Sequence, residues 1–488
     1  MTPNPATTGN HSLDGAEGKR TDTDRVADRM KRYDVVVIGG GAAGLVAAKE
    51  ARRRHASVVM VQRGPVGGDC TFTGCVPSKT LLASAADGLD FAAAMERVHA
   101  TIADIAATED AAALAVDGIE VIDGYARFRS PTEIDVDGTR IRSRRFVVAT
   151  GAGPTVPPIP GLREAQPLTS DTLFDLAERP TSLTILGAGP IGCEMAQAFA
   201  RFGTRVALIE AADRVLPRED PEASAVIERA LRRFGVTVHT GRAAASVGPG
   251  NRVALDDGTI VDSTHLLVAI GRTPSGRGFG LEEIGVTVDQ RGAIVVGDDM
   301  STTVDGIWAA GDVTGRLQFT HVAGRMGWIA ASNALSKLAR LRRFRLDTRA
   351  TPWATFTSPE VAHVGLTLRE AATAHPNAKV AHLPLSKVDR AVMSGATDGF
   401  VTLIAAPRRG TGHLAGGRLV GATVVAPSAG ELIHEAALAM QTGMFVGRLA
   451  QTTHAYPTWS MAVQQAALQF FGESAGLKAR SIGEISLA

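Results

Sequence analysis

The stretch Tyr33-Asp34-Val35-Val36-Val37-Ile38-Gly39-Gly40-Gly41-Ala42-Ala43-Gly44 decides the fold. Four consecutive β-branched residues, Val35 to Ile38, read as a strand buried on both faces, and the Ala-rich run from Ala42 reads as the helix that follows it. Between them, Gly39, Gly41 and Gly44 make a G-x-G-x-x-G turn. Glycines at this spacing permit a tight turn, close approach of a pyrophosphate to the backbone N–H groups of the helix N-terminus, and packing of helix on strand. An acidic residue is expected at the end of the next strand to accept from a ribose hydroxyl; here Gln62 follows the run Ser57 to Val61. Its amide oxygen accepts the same bond without the charge.

The pattern occurs twice. Leu183 to Leu186 leads into Gly187-Ala188-Gly189-Pro190-Ile191-Gly192, and the strand Val206 to Ile209 ends in Glu210. Glu210 stands at the same distance from Gly187 as Gln62 does from Gly39. A carboxylate there suits the free 2′-hydroxyl of NAD and repels the 2′-phosphate of NADP. The reading is therefore NADH, with NADPH left possible by Arg214 and Arg218 close behind.

Working outward, 488 residues at roughly 150 per domain make about three domains. Residues 1–32 are polar and without apolar periodicity, a disordered extension. A Pro-rich linker, Pro154 to Pro160 with Gly161 after it, separates the two nucleotide units. Beyond Thr351 the texture becomes alternating strands, Phe400 to Ile404 and Leu419 to Val425, followed by amphipathic helices over Ala429 to Thr442 and Met461 to Phe471. This is an α+β domain with no nucleotide fingerprint of its own. The fold class is thus α/β, two Rossmann-like domains and a C-terminal α+β domain.

Lys and Arg number 51 against 50 Asp and Glu, a net charge of +1, so there is no one-signed field to hold nucleic acid or an anionic membrane. No secretory leader or membrane-length apolar run is present, and the chain reads as cytoplasmic. Three cysteines exclude a disulfide scaffold and a multi-cysteine zinc module. Two of them, Cys70 and Cys75, lie in Gly67-Gly68-Asp69-Cys70-Thr71-Phe72-Thr73-Gly74-Cys75-Val76-Pro77-Ser78-Lys79. Four intervening residues can close a small loop. Pro77 and the helical pattern after it put Cys75 near a helix N-terminus, where a thiol ionises more readily. In a cytoplasmic chain such a pair is redox-catalytic or metal-binding, and zinc lacks further ligands nearby. The third, Cys193, reads as a buried packing residue.

The string Gly67 to Lys79 resembles the redox-disulfide signature of the class I pyridine nucleotide–disulfide oxidoreductases, which include dihydrolipoamide dehydrogenase, glutathione reductase and mercuric reductase. Further segments resemble that family in order: Ala149-Thr150-Gly151, Ile270-Gly271-Arg272-Thr273-Pro274, and Thr303 to Asp312. The resemblance implies an FAD-binding domain in two parts (33–165 and 276–350), an NAD(P)-binding domain (166–275), a dimerisation domain (351–475) and a tail (476–488). It implies FAD on Gly39, Gly41, Gly44, Gln62, Gly68, Thr150, Gly151 and Asp312, with His321 near the flavin, and the nicotinamide nucleotide on Gly187, Gly189, Gly192, Glu210 and Gly271. It further implies a homodimer in which electrons pass from NADH through flavin to a Cys70–Cys75 disulfide. In that scheme Cys75 is the thiolate facing the flavin, Cys70 the outward interchange thiol, and Lys79 and Glu194 an ion pair beside the flavin.

The pattern departs at the segment around Tyr456, and the cysteine pair that mercuric reductases carry near the C-terminus has no counterpart in Gly472 to Ala488. Disulfide-reducing members carry His-Pro-Thr with a Glu further on, the His protonating the leaving thiol. This chain has His454-Ala455-Tyr456-Pro457-Thr458-Trp459-Ser460-Met461, so Tyr456 replaces the His and Met461 the Glu. A positioned acid/base contributes ~10²–10⁴ in rate, and a Tyr with pKa near 10 is a poor base at neutral pH. Mercuric reductases have a Tyr in this region, serving the metal. The expectation is a small non-thiol acceptor, a soft metal ion or a quinone, with a lipoamide or other disulfide reductase as the alternative and a non-turnover redox sensor as a reading of another class.

Overall fold

The computed structural model describes residues 31–336 and 343–485. The chain enters the fold at Lys31–Arg32 (β1), which pairs in parallel with Thr139–Arg142 and is tied by Lys31 to Glu120 at 2.6 Å. These two residues, expected to end the extension, therefore belong to a sheet; the rest of that extension, 1–30, lies outside the described residues.

Val35–Ile38 (β2), Ala42–Arg53 (α1) and Val58–Gln62 (β3) form the first β-α-β unit, β2 and β3 pairing in parallel from Val35↔Val58 to Ile38↔Val61. Four helices follow, the first two being Gly68–Phe72 (α2) and Cys75–Ala86 (α3), and after them come the strands Ile119–Asp123 (β4) and Phe146–Val148 (β5) of the same sheet. The second unit repeats the first. Ser182–Leu186 (β6), Pro190–Arg201 (α4) and Arg205–Glu210 (β7) are joined by Thr237–Thr240 (β8) and His265–Val268 (β9) in a parallel sheet ordered β8-β7-β6-β9. The chain then returns to the first sheet through Ile307–Ala309 (β10) and Thr320–Leu335 (α5), giving the parallel order β10-β5-β2-β3-β4. All four β2 residues are buried, as a strand with helices on both faces requires.

The C-terminal unit is a six-stranded antiparallel sheet. Its strands are Pro352–Thr355 (β11), Glu360–Gly365 (β12), Lys379–Pro384 (β13), Phe400–Ala406 (β14), Arg418–Ala426 (β15) and Arg480–Ser481 (β16), in the order β11-β12-β15-β14-β13-β16. Ala429–Thr442 (α6) and Met461–Leu468 (α7) cover it, burying Leu432, Ile433, Ala462 and Val463. The second helix stops short of the expected Phe471 because Gln469 turns to β13, accepting from His382 N at 3.2 Å and donating to its carbonyl at 3.1 Å.

The units share a core. One apolar cluster runs from Leu81 and Phe91 through Ile185 and Phe199 to Val361 and Phe400. Each such side chain, fully buried, stabilises by about 1.5–3 kcal/mol relative to exposure. A polar contact lies beside it: the indole N–H of Trp353 on β11 donates to Glu219 Oε1 at 2.6 Å. Burial pushes the Glu219 carboxyl up to about 7, the indole bond opposing it. Among the described residues no helix is long and apolar enough to cross a membrane.

Candidate active site

Both glycine turns are built alike. Gly39 and Gly187 have φ of 102° and 99°, values that exclude other residues, and a Cβ on Gly44 or Gly192 would lie 1.9 Å from the carbonyl oxygen of Gly39 or Gly187. The residues closing the turns also correspond. Gln62 Oε1 accepts from Gly40 N at 2.7 Å, and Glu210 Oε2 accepts from Ala188 N at 2.7 Å. The amide of Gln62 donates in turn to the carbonyls of Arg63 and Pro65, whereas the second carboxylate oxygen of Glu210 accepts from Ala212 N at 2.9 Å. Arg214 is held by Asp213 at 3.1 Å and by the Pro217 carbonyl at 3.2 Å.

A cavity of about 640 Å³ begins at the first turn. Gly39, Gly41, Gln62, Gly68, Thr150, Gly151 and Asp312 line it, together with Cys70, Cys75, Lys79 and Glu194. The helix N-terminus at α1 has no side-chain cap, so its N–H groups face the cavity as anion donors. These residues suit a dinucleotide whose pyrophosphate meets α1 and whose reactive end meets the cysteines.

At that end, Cys70 on α2 and Cys75, the first residue of α3, are free thiols. They are hydrogen-bonded to each other, which raises the Cys70 thiol and lowers that of Cys75 to about 6. Burial opposes the lowering at Cys75, while the Thr320 hydroxyl, 3.3 Å from its sulfur, and the Lys79 cation assist it. Lys79 Nζ donates to Glu194 Oε2 at 2.8 Å and lies 4.7 Å from the centre of the Phe356 ring. Glu194 Oε1 accepts from Phe356 N at 2.9 Å, so this carboxylate, 3% exposed, ties α3, α4 and the C-terminal unit together.

Other expected residues lie elsewhere. Gly187, Gly189, Gly192 and Glu210 form the second turn, outside the cavity, and Gly271 follows β9 with φ of 130°. His321 does not line the cavity: its Nε2 bonds the Pro352 carbonyl at 2.9 Å and its ring stacks on Phe319. Tyr456 is 62% exposed and donates to Asp389 Oδ2 at 3.1 Å, a carboxylate that raises the phenol. His454 is pinned between the Thr452 carbonyl at 2.9 Å and Glu435 at 3.0 Å, and Cys193 is fully buried. Two residues of the site were passed over in the sequence. Arg272 pairs with Asp69 beside Cys70 and lies 3.8 Å from Asp312, and Thr320 meets Cys75. Both stand next to residues that were chosen, Gly271 and His321.

Twin dinucleotide turns joined to a paired-thiol cavity define a dinucleotide-dependent thiol oxidoreductase. Residues 33–327 match the pyridine nucleotide-disulphide oxidoreductase family and residues 351–467 match its dimerisation domain. The chain belongs to this family of flavin-dependent enzymes, whose members use FAD and NAD(P)H. It is 39% identical to a mercuric reductase of Streptomyces lividans over 91% of this chain and 98% of that one. It is 35% identical to a dihydrolipoyl dehydrogenase of Thermus scotoductus, over 90% and 97%. Among solved structures it is similar to the Cu(II) complex of the HOCl-induced flavoprotein disulfide reductase RclA from Escherichia coli, with a TM-score of 0.81, 30% identity, and 90% and 99% of the two chains covered.

Proposed function

We propose that this protein is a cytoplasmic homodimer that passes electrons from NADH through FAD and the Cys70–Cys75 pair to a soft metal ion. The observation that carries the reading is Tyr456 at the loop position where disulfide-reducing relatives carry a His; among the described residues no His lines the cavity beside the thiol pair. A thiolate binds a soft metal ion directly and needs no proton donor for a leaving thiol, whereas turnover of a disulfide does. The similarity to a mercuric reductase and to a reductase solved with Cu(II) supports the same acceptor class.

FAD, when bound, supplies a two-electron carrier between nicotinamide and sulfur. Gly39, Gly41, Gly44, Gln62, Gly68, Thr150, Gly151 and Asp312 would hold it. Cys75 stays deprotonated at neutral pH, and Cys70 receives the acceptor. Lys79, fixed by Glu194, keeps positive charge beside Cys75. Gly187, Gly189, Gly192, Glu210 and Gly271 would hold the nicotinamide nucleotide, and the Glu210 carboxylate together with a committed Arg214 favours NADH over NADPH.

The test is turnover of NADH and of NADPH with Hg(II) and Cu(II) as thiol complexes, a quinone, lipoamide and glutathione disulfide. The metal ions are expected to be reduced with NADH at least ~10²-fold more efficiently than either disulfide. Efficient lipoamide turnover, or quinone turnover alone, overturns the acceptor class; no turnover with any acceptor overturns the enzyme reading in favour of a sensor.

A further inference from the structure

We propose that the side-chain amide of Gln318 donates a hydrogen bond to the flavin ring of bound FAD and thereby favours its reduced form. The segment Arg316 to His321 leads from the turn at Asp312 into α5, and in it every other side chain is engaged. Arg316 is bonded to Asp298 at 2.9 Å, Leu317 and Phe319 pack against the apolar core of the first unit, the Thr320 hydroxyl lies 3.3 Å from the Cys75 sulfur, and His321 bonds the Pro352 carbonyl. Gln318 is the exception. It lines the cavity, and its amide nitrogen is buried with no hydrogen-bond partner among the described residues. A buried N–H donor without a partner is rare, because nothing offsets its lost hydration. A group bound in the cavity would supply the missing acceptor.

The backbone places this amide at the reactive end. Phe319 is extended, with φ of −124° and ψ of 140°, so successive side chains point to opposite sides. Leu317 and Phe319 face the core, and Gln318 and Thr320 line the cavity. A pair of extended residues spans about 7 Å, so Gln318 stands one such step from the residue that touches Cys75. The last torsion of a Gln amide is soft, and a half-turn presents the nitrogen to the cavity. Flavin carries carbonyl oxygens on its pyrimidine ring. A hydride from NADH brings two electrons and a proton to the ring and leaves it one charge more negative. A donor at such an oxygen therefore holds the reduced form more tightly than the oxidised one. The inference needs FAD, which the family uses, and is independent of which acceptor takes the electrons.

The experiment uses the full chain, loaded with FAD and carrying Cys70→Ser and Cys75→Ser, so that the flavin is the remaining two-electron couple. The flavin is equilibrated anaerobically at about pH 8 with a dye of known potential, and the ratio of reduced to oxidised flavin is read by absorbance in this parent and with Gln318→Met or Gln318→Glu added. Met fills similar space without a donor and is expected to lower the ratio about tenfold at a fixed dye potential, a shift of about 30 mV. Glu keeps the shape but brings a carboxylate, ionised at this pH, and is expected to lower the ratio further. A Met ratio equal to the parent's, or a Glu ratio at or above the Met one, overturns the proposal. Where Met does not retain FAD, Glu decides: a lower ratio than the parent's supports the proposal and an unchanged one overturns it. Loss of FAD from both variants makes Gln318 a structural residue and overturns it as well. None of these readings uses metal turnover, so failure of the acceptor class and failure of this inference are told apart.

Discussion

At the scale of single residues, the two cysteines differ although their side chains are the same. Cys75 begins a helix, receives a hydrogen bond from Cys70 and sits near Lys79; Cys70 has the opposite bias because it is the donor. The thiolate of Cys75 is present above pH about 6 and lost as pH falls below it. Long-wavelength absorbance produced by NADH in the flavin-loaded protein is accordingly expected to fade on acidification through that value and to be absent in Cys75→Ser, whereas Cys70→Ser, which cannot form the disulfide, is expected to show it before NADH is added. Lys79 and Glu194 act as a unit. Lys79→Met leaves a carboxylate that is 3% exposed with only the Phe356 N–H as partner, and is expected to cost about 3 kcal/mol in urea unfolding. Adding Glu194→Gln is expected to recover most of it, since a neutral amide needs no counter-charge. The pair and both cysteines were legible in the sequence because each lies in a motif whose order is diagnostic. Thr320 was not legible, since it stands 245 residues from Cys75 and only the fold brings them together. The imidazole of His321 drew attention instead because it can do more chemistry in isolation, and it is spent on a backbone carbonyl.

At the scale of elements, the twin turns are rigid in a way that makes separable predictions. A Cβ at Gly44 or Gly192 would overlap a carbonyl oxygen at 1.9 Å, so either substitution must displace the helix from its strand. Gly192→Ala is expected to abolish measurable NADH binding while the protein keeps its flavin, and Gly44→Ala to abolish flavin retention, as read by absorbance after gel filtration. Strands of four β-branched or apolar residues ending in glycine were readable to within one residue, Val35–Ile38 as expected and Ser182–Leu186 one residue longer, because burial on both faces favours that composition. Ends of elements were less readable. The helix α7 stops at Leu468 because the Gln469 amide satisfies both backbone groups of His382 on β13, a tertiary bond with no local signature. Likewise Lys31 and Arg32 look like the end of a polar tail until Ile141, Arg142 and Glu120 are placed beside them.

At the scale of the whole molecule, the units are coupled through buried polar groups as well as apolar ones. Glu219 and Trp353 belong to different units, and burial raises the carboxyl from 4.5 to about 7. The folded state then keeps a proton that the unfolded chain releases, so this group's favourable contribution is present below about 4.5 and lost as pH rises through about 7. Glu219→Gln is expected to raise stability by about 3 kcal/mol near pH 8 and little near pH 4, measured as the shift in urea midpoint. The C-terminal unit matches the family's dimerisation domain, and of the apolar residues on α6 and just after it Leu438 is 58% exposed, while Ala437 is buried and Met440 and Met444 pack against the core. Leu438→Arg is expected to weaken the dimer, seen as a concentration-dependent fall in mass by light scattering. The central claim is that NADH electrons leave the flavin through Cys70 and Cys75. Anaerobic addition of one equivalent of NADH to the air-oxidised, FAD-loaded protein, followed by alkylation and peptide mass analysis, tests it directly. The account predicts that Cys70 and Cys75 become labelled only after NADH; unchanged labelling with the flavin reduced would contradict it.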